Sequence, residues 1–166
     1  MKRDSIVEIA TYIIVPTAML VVSPTAAKLI DSLFWKQPQV LAPYPSLVIL
    51  GGMLVVSGMF LALWTIYLFK TIGEGTPNPT LPPKNMVIAG PYKYCRNPMA
   101  LGGFIVLLGE SLLYYSPSML GLTLLYALIL SLYVIYEEEP KLKKRFGAEY
   151  EAYLEKVPRF FPKLIK

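Results

Sequence analysis

The chain has 166 residues, 55% hydrophobic and 16% charged, with 16 Lys and Arg against 11 Asp and Glu, one cysteine and no histidine. That balance, with a mean hydropathy of +0.50, makes lipid the natural solvent and allows one domain. The missing histidine and lone Cys95 exclude zinc fingers, His-based metal triads, haem attachment, Ser-His-Asp and Cys-His nucleophiles and a disulfide framework, while the net charge of +5 reads as membrane topology rather than as a nucleic-acid partner.

Four stretches approach or exceed the roughly 18 to 20 apolar residues a helix needs to cross hydrocarbon, at about 6 to 30, 46 to 69, 98 to 116 and 118 to 136. The first follows Met1-Lys2-Arg3-Asp4, lacks a small-residue cleavage signature and reads as a retained span. Pro16 and Pro24 should bend or interrupt it. The second carries Gly51, Gly52, Ser57, Gly58 and Ala62, small residues that let another helix approach closely. Between spans two and three, residues 70 to 98 hold Gly73, Gly75, Pro77, Pro79, Pro82 and Pro83 and cannot form a continuous helix. A loop of that length tends to be functional, and its prolines stiffen it.

Spans three and four are separated by Ser116-Pro117-Ser118, which predicts a tight antiparallel hairpin. The run Glu137-Glu138-Glu139-Pro140 then predicts the start of a new helix, acids and proline both suiting a first turn. Leu142, Phe146, Tyr150, Tyr153 and Val157 give it one apolar stripe, suited to the bilayer surface or to capping the bundle. The expected fold is therefore all-α and integral to the membrane: four transmembrane helices, the third and fourth a hairpin, plus a C-terminal amphipathic cytoplasmic helix. The expected organisation is a single membrane domain over 1–166, with spans in 1–69, a cytoplasmic loop at 70–98, the hairpin at 98–136 and a cytoplasmic helix and tail at 137–166.

Four crossings put the N-terminus, the long loop and the tail on one side. That side holds all the Lys and Arg except Lys28 and Lys36, so the positive-inside rule makes it cytoplasmic. The hairpin also brings the entry of the third span beside the exit of the fourth. Arg96 and Asn97 should then face Glu137, Glu138 and Glu139, with Arg145 two turns beyond Glu138 on the same face. Three adjacent acids repel one another and are expensive to hold near lipid without partners.

Gly90-Pro91-Tyr92, Arg96-Asn97-Pro98 and Gly102-Gly103, followed by Glu138-Glu139, Phe146-Gly147, Tyr150, Tyr153 and Val157-Pro158-Arg159, form a recognisable series. In order and spacing it resembles the isoprenylcysteine carboxyl methyltransferase and phospholipid methyltransferase superfamily of integral-membrane enzymes, over about residues 70 to 162. The resemblance implies S-adenosylmethionine as cofactor, in a cytoplasmic pocket built by the loop motif and the paired glutamates and closed by the C-terminal helix, with no metal. It implies Tyr92, Tyr94, Arg96, Asn97, Pro98, Leu101, Gly102, Glu138 and Glu139 as cofactor-binding residues and Glu138, Arg96 and Arg145 as catalytic ones.

The chemistry of the cofactor agrees with that implication. Carboxylates such as Glu138 and Glu139 suit its ribose diol and ammonium, Arg96 suits its carboxylate, and an aromatic face at Tyr92 or Tyr94 suits adenine or the sulfonium. The family's loop commonly reads Arg-His-Pro followed one residue later by Tyr, where this chain has Asn97 and Ala100. Asn97 can hydrogen-bond but cannot accept a proton as imidazole does. The expected acceptor is a hydrophobic or amphiphilic molecule entering from the bilayer: a prenylated cysteine carboxylate, a lipid head group or a thiol.

Two other readings have specific features. A membrane reductase of related architecture would use NADPH. A non-enzymatic four-helix transporter-like protein would use Glu110, inside the third span, as its coupling acid, but such proteins keep their loops short. Glu110 is otherwise expected to hydrogen-bond across helices to a tyrosine such as Tyr126. Cys95 reads as a small interfacial residue, and Tyr133 and Tyr136 as an aromatic belt.

Overall fold

A computed structural model of the protein describes residues 12–34, 41–76 and 83–162. The expectations that rest on Lys2, Arg3, Lys36, Pro77, Pro79, Pro82, Lys163 and Lys166 lie outside these residues. All regular structure among the described residues is helical: α1 (Tyr12–Phe34), α2 (Pro45–Thr71), α3 (Pro98–Leu113), α4 (Pro117–Phe146) and α5 (Ala148–Lys156). A short 3-10 turn at Gly90–Lys93 precedes α3. Three of the helices, α1, α2 and α4, are long and apolar enough to cross a membrane, and the protein is a multi-pass membrane protein. At 16 residues α3 is apolar but shorter than the stretch read from sequence, and its length of about 24 Å falls short of a hydrocarbon core about 30 Å thick.

The chain divides into two compact units, one of residues 1–60 and 102–127, the other of 61–101 and 128–166. In the first unit α2 and α3 run antiparallel with their backbones almost touching. A Cβ on Gly51 would lie 2.7 Å from the Gly109 carbonyl oxygen, and one on Gly58 would lie 2.6 Å from that of Gly102. Ala27, Leu107 and Met119 form the core, with Met19, Leu122 and Tyr126 packed on it, which seats α1 against the hairpin of α3 and α4. The turn of that hairpin is pinned by a buried acid. Asp31 accepts hydrogen bonds from the Ser116 hydroxyl and, at 3.1 Å, from the Ser118 N–H, capping the first turn of α4. Lys28 donates to the Tyr114 carbonyl at 3.1 Å.

The second unit has two apolar clusters. Leu68, Val87 and Tyr92, with Phe69 and Ala89, hold the loop against the end of α2. Tyr150, Tyr153 and Val157, with Met86, Leu142, Phe146 and Leu154, hold the C-terminal segment together.

The prolines do not break helices as the sequence reading expects. Residues Ala18–Val22 and Val134–Glu138 are π-helical turns, each ending two residues before a proline, Pro24 in α1 and Pro140 in α4. In both places the residue before the proline donates its N–H five residues back, Ser23 to Ala18 and Glu139 to Val134. The wider turn moves the carbonyl that a proline ring would strike in an α-helix, and the helix continues through it. In α1 the freed Met19 carbonyl takes the Ser23 hydroxyl at 2.6 Å.

The helix start expected at Glu137 to Pro140 is met in part: an α-helical segment begins at Glu139 with Pro140 in its first turn, but the π turn joins it to the helix before it, and α4 runs on to Phe146. The break comes instead at Gly147, whose φ of 55° and ψ of −131° lie where only glycine is comfortable. The five stripe residues do gather in one cluster, but Leu142 and Phe146 lie on α4, Tyr150 and Tyr153 on α5, and Val157 in the extended residue that follows it.

Candidate functional site

The loop that leads into α3 is shaped by one glycine. Gly90 has a φ of +54°, and a Cβ there would stand 3.1 Å from both Trp64 Cζ2 and Leu68 Cδ1. Only hydrogen lets the chain turn this close to α2. The 3-10 turn that follows buries Tyr92, whose ring meets Phe69 edge-on at 5.6 Å between centroids. Tyr153 on α5 donates its hydroxyl to the Tyr92 carbonyl at 2.7 Å, tying the loop to the tail.

Residues 95 to 97 then run beside residues 158 to 160. The Arg96 N–H donates to the Pro158 carbonyl at 2.9 Å and the Asn97 N–H to that of Arg159 at 3.2 Å. Asn97 Nδ2 donates to the same Arg159 oxygen at 3.1 Å. The Cys95 thiol is buried and donates to the Phe160 carbonyl at 3.0 Å, and burial pushes its pKa up. These bonds dock the loop on the C-terminal segment.

Beside that seam lies a buried ionic junction. Arg96 Nη1 donates to Glu139 Oε1 at 2.7 Å, and Arg159 grips the same carboxylate with Nε to Oε1 at 2.8 Å and Nη2 to Oε2 at 2.9 Å. The Arg96 and Glu139 side chains are 11% and 10% exposed. Such a pair is worth little relative to apolar packing, but losing one member strands a buried charge. Two guanidiniums against one carboxylate leave the junction net positive. Arg96 Nε is buried with no hydrogen-bond partner, so one donor remains to be satisfied. Glu138, next in the chain to Glu139, is half-buried. Tyr150 packs nearby, its pKa pushed up to about 12 by burial first and by the charge of Glu139, against the pull of Arg96.

Residues 93 to 95 also line a groove of about 460 Å³. Leu61 and Trp64 of α2 form one wall and Pro98 and Leu101 of α3 another. The turn contributes Pro91, Lys93, Tyr94 and Cys95, and Pro162 lies at the edge.

The sequence-predicted residues therefore fall into groups. Arg96, Asn97 and Glu139 meet at the junction, and Tyr94, Pro98 and Leu101 line the groove. Tyr92 is buried between Leu68 and Val87. Gly102 lies in the first unit, against Gly58. Arg145 is exposed and stacks on Phe146 at 5.5 Å. Glu110, also in the first unit, is buried, and its Oε2 has no hydrogen-bond partner. Tyr126, its expected partner, instead places its hydroxyl over Gly103, 2.6 Å from where a Cβ would be. Arg159 was absent from the expected site, although it closes the Val157-Pro158-Arg159 motif and stands twenty residues after Glu139. A cation at that distance from a buried acid is the signal that could have found it.

A model of the phospholipid methyltransferase family matches residues 46–149. Among solved structures, the eukaryotic intramembrane Ras methyltransferase, isoprenylcysteine carboxyl methyltransferase, aligns with a TM-score of 0.59 at 19% identity, over 98% of this chain and 54% of that one. The likeness is one of fold, and this chain spans about half the length of that protein. A search of curated proteins finds no match.

Proposed function

The chain belongs to the phospholipid methyltransferase family, and from that membership we propose that it moves a methyl group from S-adenosylmethionine to a hydrophobic or amphiphilic acceptor drawn from the bilayer. The observation that carries the proposal is the buried junction of Arg96, Glu139 and Arg159, net positive and with Arg96 Nε unpartnered. That donor suits the cofactor's amino-acid carboxylate. Glu138, half-buried beside it, suits an ammonium or ribose hydroxyls.

Glu139 has a different task, because both its oxygens are taken by arginines. It fixes the plane of Arg96 and so acts as a positioning residue. Asn97 spends its amide N–H on the Arg159 carbonyl; it orients the loop and takes no proton. Arg145, exposed and stacked on Phe146, is left without a catalytic role. When bound, the cofactor supplies a methyl group already activated on a sulfonium. The chain's own residues align the reactants and keep water out. A carboxylate or thiolate acceptor needs no base, whereas a protonated acceptor has Glu138 at hand. The excess of Lys and Arg in the loop and tail supports a cytoplasmic site in the cell membrane.

Isothermal titration of S-adenosylhomocysteine into the protein in nanodiscs tests this, with NADPH as comparison ligand. Wild type should bind the former. Arg96→Lys should weaken binding by at least about tenfold, since one lost charge-assisted hydrogen bond is worth ~1.5 kcal/mol. Folded protein that binds no S-adenosylhomocysteine would end the assignment.

A further inference from the structure

We infer that the groove between α2 and the loop holds a single-chain amphiphile with an anionic head, its tail along Trp64 and Leu101 and its head at Lys93. The volume of about 460 Å³ is within the range of small-molecule sites. Its lining is mostly apolar, with Leu61 and Trp64 from α2 and Pro98 and Leu101 from α3. The indole of Trp64 lies against Gly90, where a side chain would displace it. On α2 the neighbouring Leu63 and Tyr67 are 61% and 61% exposed, so a chain dissolved in lipid has an apolar route to the groove.

The head group follows from charge. Among the described residues Lys93 is the cation in the lining, and none of them brings a carboxylate to the groove. Lys93 is exposed and makes no ion pair among the described residues. Arg96, three residues on, is committed to Glu139. The Cys95 thiol is spent on backbone carbonyls. An ammonium head would meet a like charge and no partner, while a carboxylate or phosphate head would meet Lys93 and the Tyr94 hydroxyl. Calling this amphiphile the methyl acceptor rests on the proposed function, but its binding does not.

The test uses Trp64 as reporter in full-length Trp35→Phe protein, which leaves one of the two tryptophans. Dibrominated stearate, its methyl ester and the matching amine are titrated into zwitterionic nanodiscs at a pH where carboxylate and amine are both charged. Stearate should quench Trp64 at a concentration about fivefold below the ester, as expected for one partly exposed ion pair, and further below the amine. Lys93→Gln should abolish the difference and Lys93→Glu should reverse it in favour of the amine. Equal quenching by all three probes, or an unchanged order in Lys93→Glu, overturns the inference. So does displacement of stearate by S-adenosylhomocysteine, which gives the groove to the nucleotide. S-adenosylhomocysteine binding without head-group preference sinks the inference and leaves the proposed methyl transfer standing; preference without that binding does the reverse.

Discussion

Tyr153 shows how much one phenol can organise. Its hydroxyl ties α5 to the Tyr92 carbonyl, and its ring packs at 6.1 Å from that of Tyr150. Burial raises the pKa of Tyr92, Tyr150 and Tyr153, that of Tyr150 from 10.0 to about 12. Phenols that resist ionisation only when folded stabilise the protein fully below pH 10 and lose that contribution as pH climbs towards 12 and beyond. Thermal unfolding in detergent should therefore show a Tm that is steady up to about pH 10 and falls above it, in step with late tyrosinate absorbance at high pH. A Tm unchanged through pH 12 would show that these rings gain nothing from the fold. At this scale the sequence made Arg96 and the glutamates visible as charges out of place near lipid. It could not divide their labour. Glu139 differs from Glu138 through the reach of Arg159, a contact across twenty residues that depends on where the tail turns back.

Among helices, the small residues of α2 are alike in sequence and unlike in structure. Gly58 faces backbone, with Gly102 O at 2.6 Å and Val106 N at 2.9 Å from its missing Cβ, whereas Gly52 has nothing within 4 Å. Gly58→Val should lower stability by about 1–3 kcal/mol through overpacking, and Gly52→Val should be close to neutral; melting of both variants in detergent reads the difference directly. Equal melting points would mean the two helices can part without cost. The length of the apolar runs was enough to place α2 and the hairpin, because a helix in lipid is specified mainly by length and hydropathy. Helix ends were harder. Pro140 and the acids before it do mark the start of the α-helical segment Glu139–Phe146, but the π turn at Val134–Glu138 joins that segment to the helix before it, and Gly147 supplies the break. The widened turns have no compositional signature beyond the proline itself.

For the molecule as a whole, the distribution of Lys and Arg carries most of the topological information. Cys95 is buried and bonded, so the native thiol leaves a silent background for labelling. Lys144→Cys and Tyr115→Cys, both at exposed positions, should react with an impermeant maleimide from opposite faces of sealed vesicles, Lys144→Cys from the cytoplasmic face. Labelling of both from one face would overturn the proposed orientation. The family was readable because its motifs are local runs separated by a fixed interval. The groove was not, since Trp64 and Leu101 belong to different helices and meet there only through the fold. A π turn stores one residue more than the α repeat, an offset of about 100° for everything downstream. The heading at which Leu142 and Phe146 arrive beside Tyr150 thus depends on an amide hydrogen that Pro140 does not have, and the azimuth of the tail is written as an omission in the main chain.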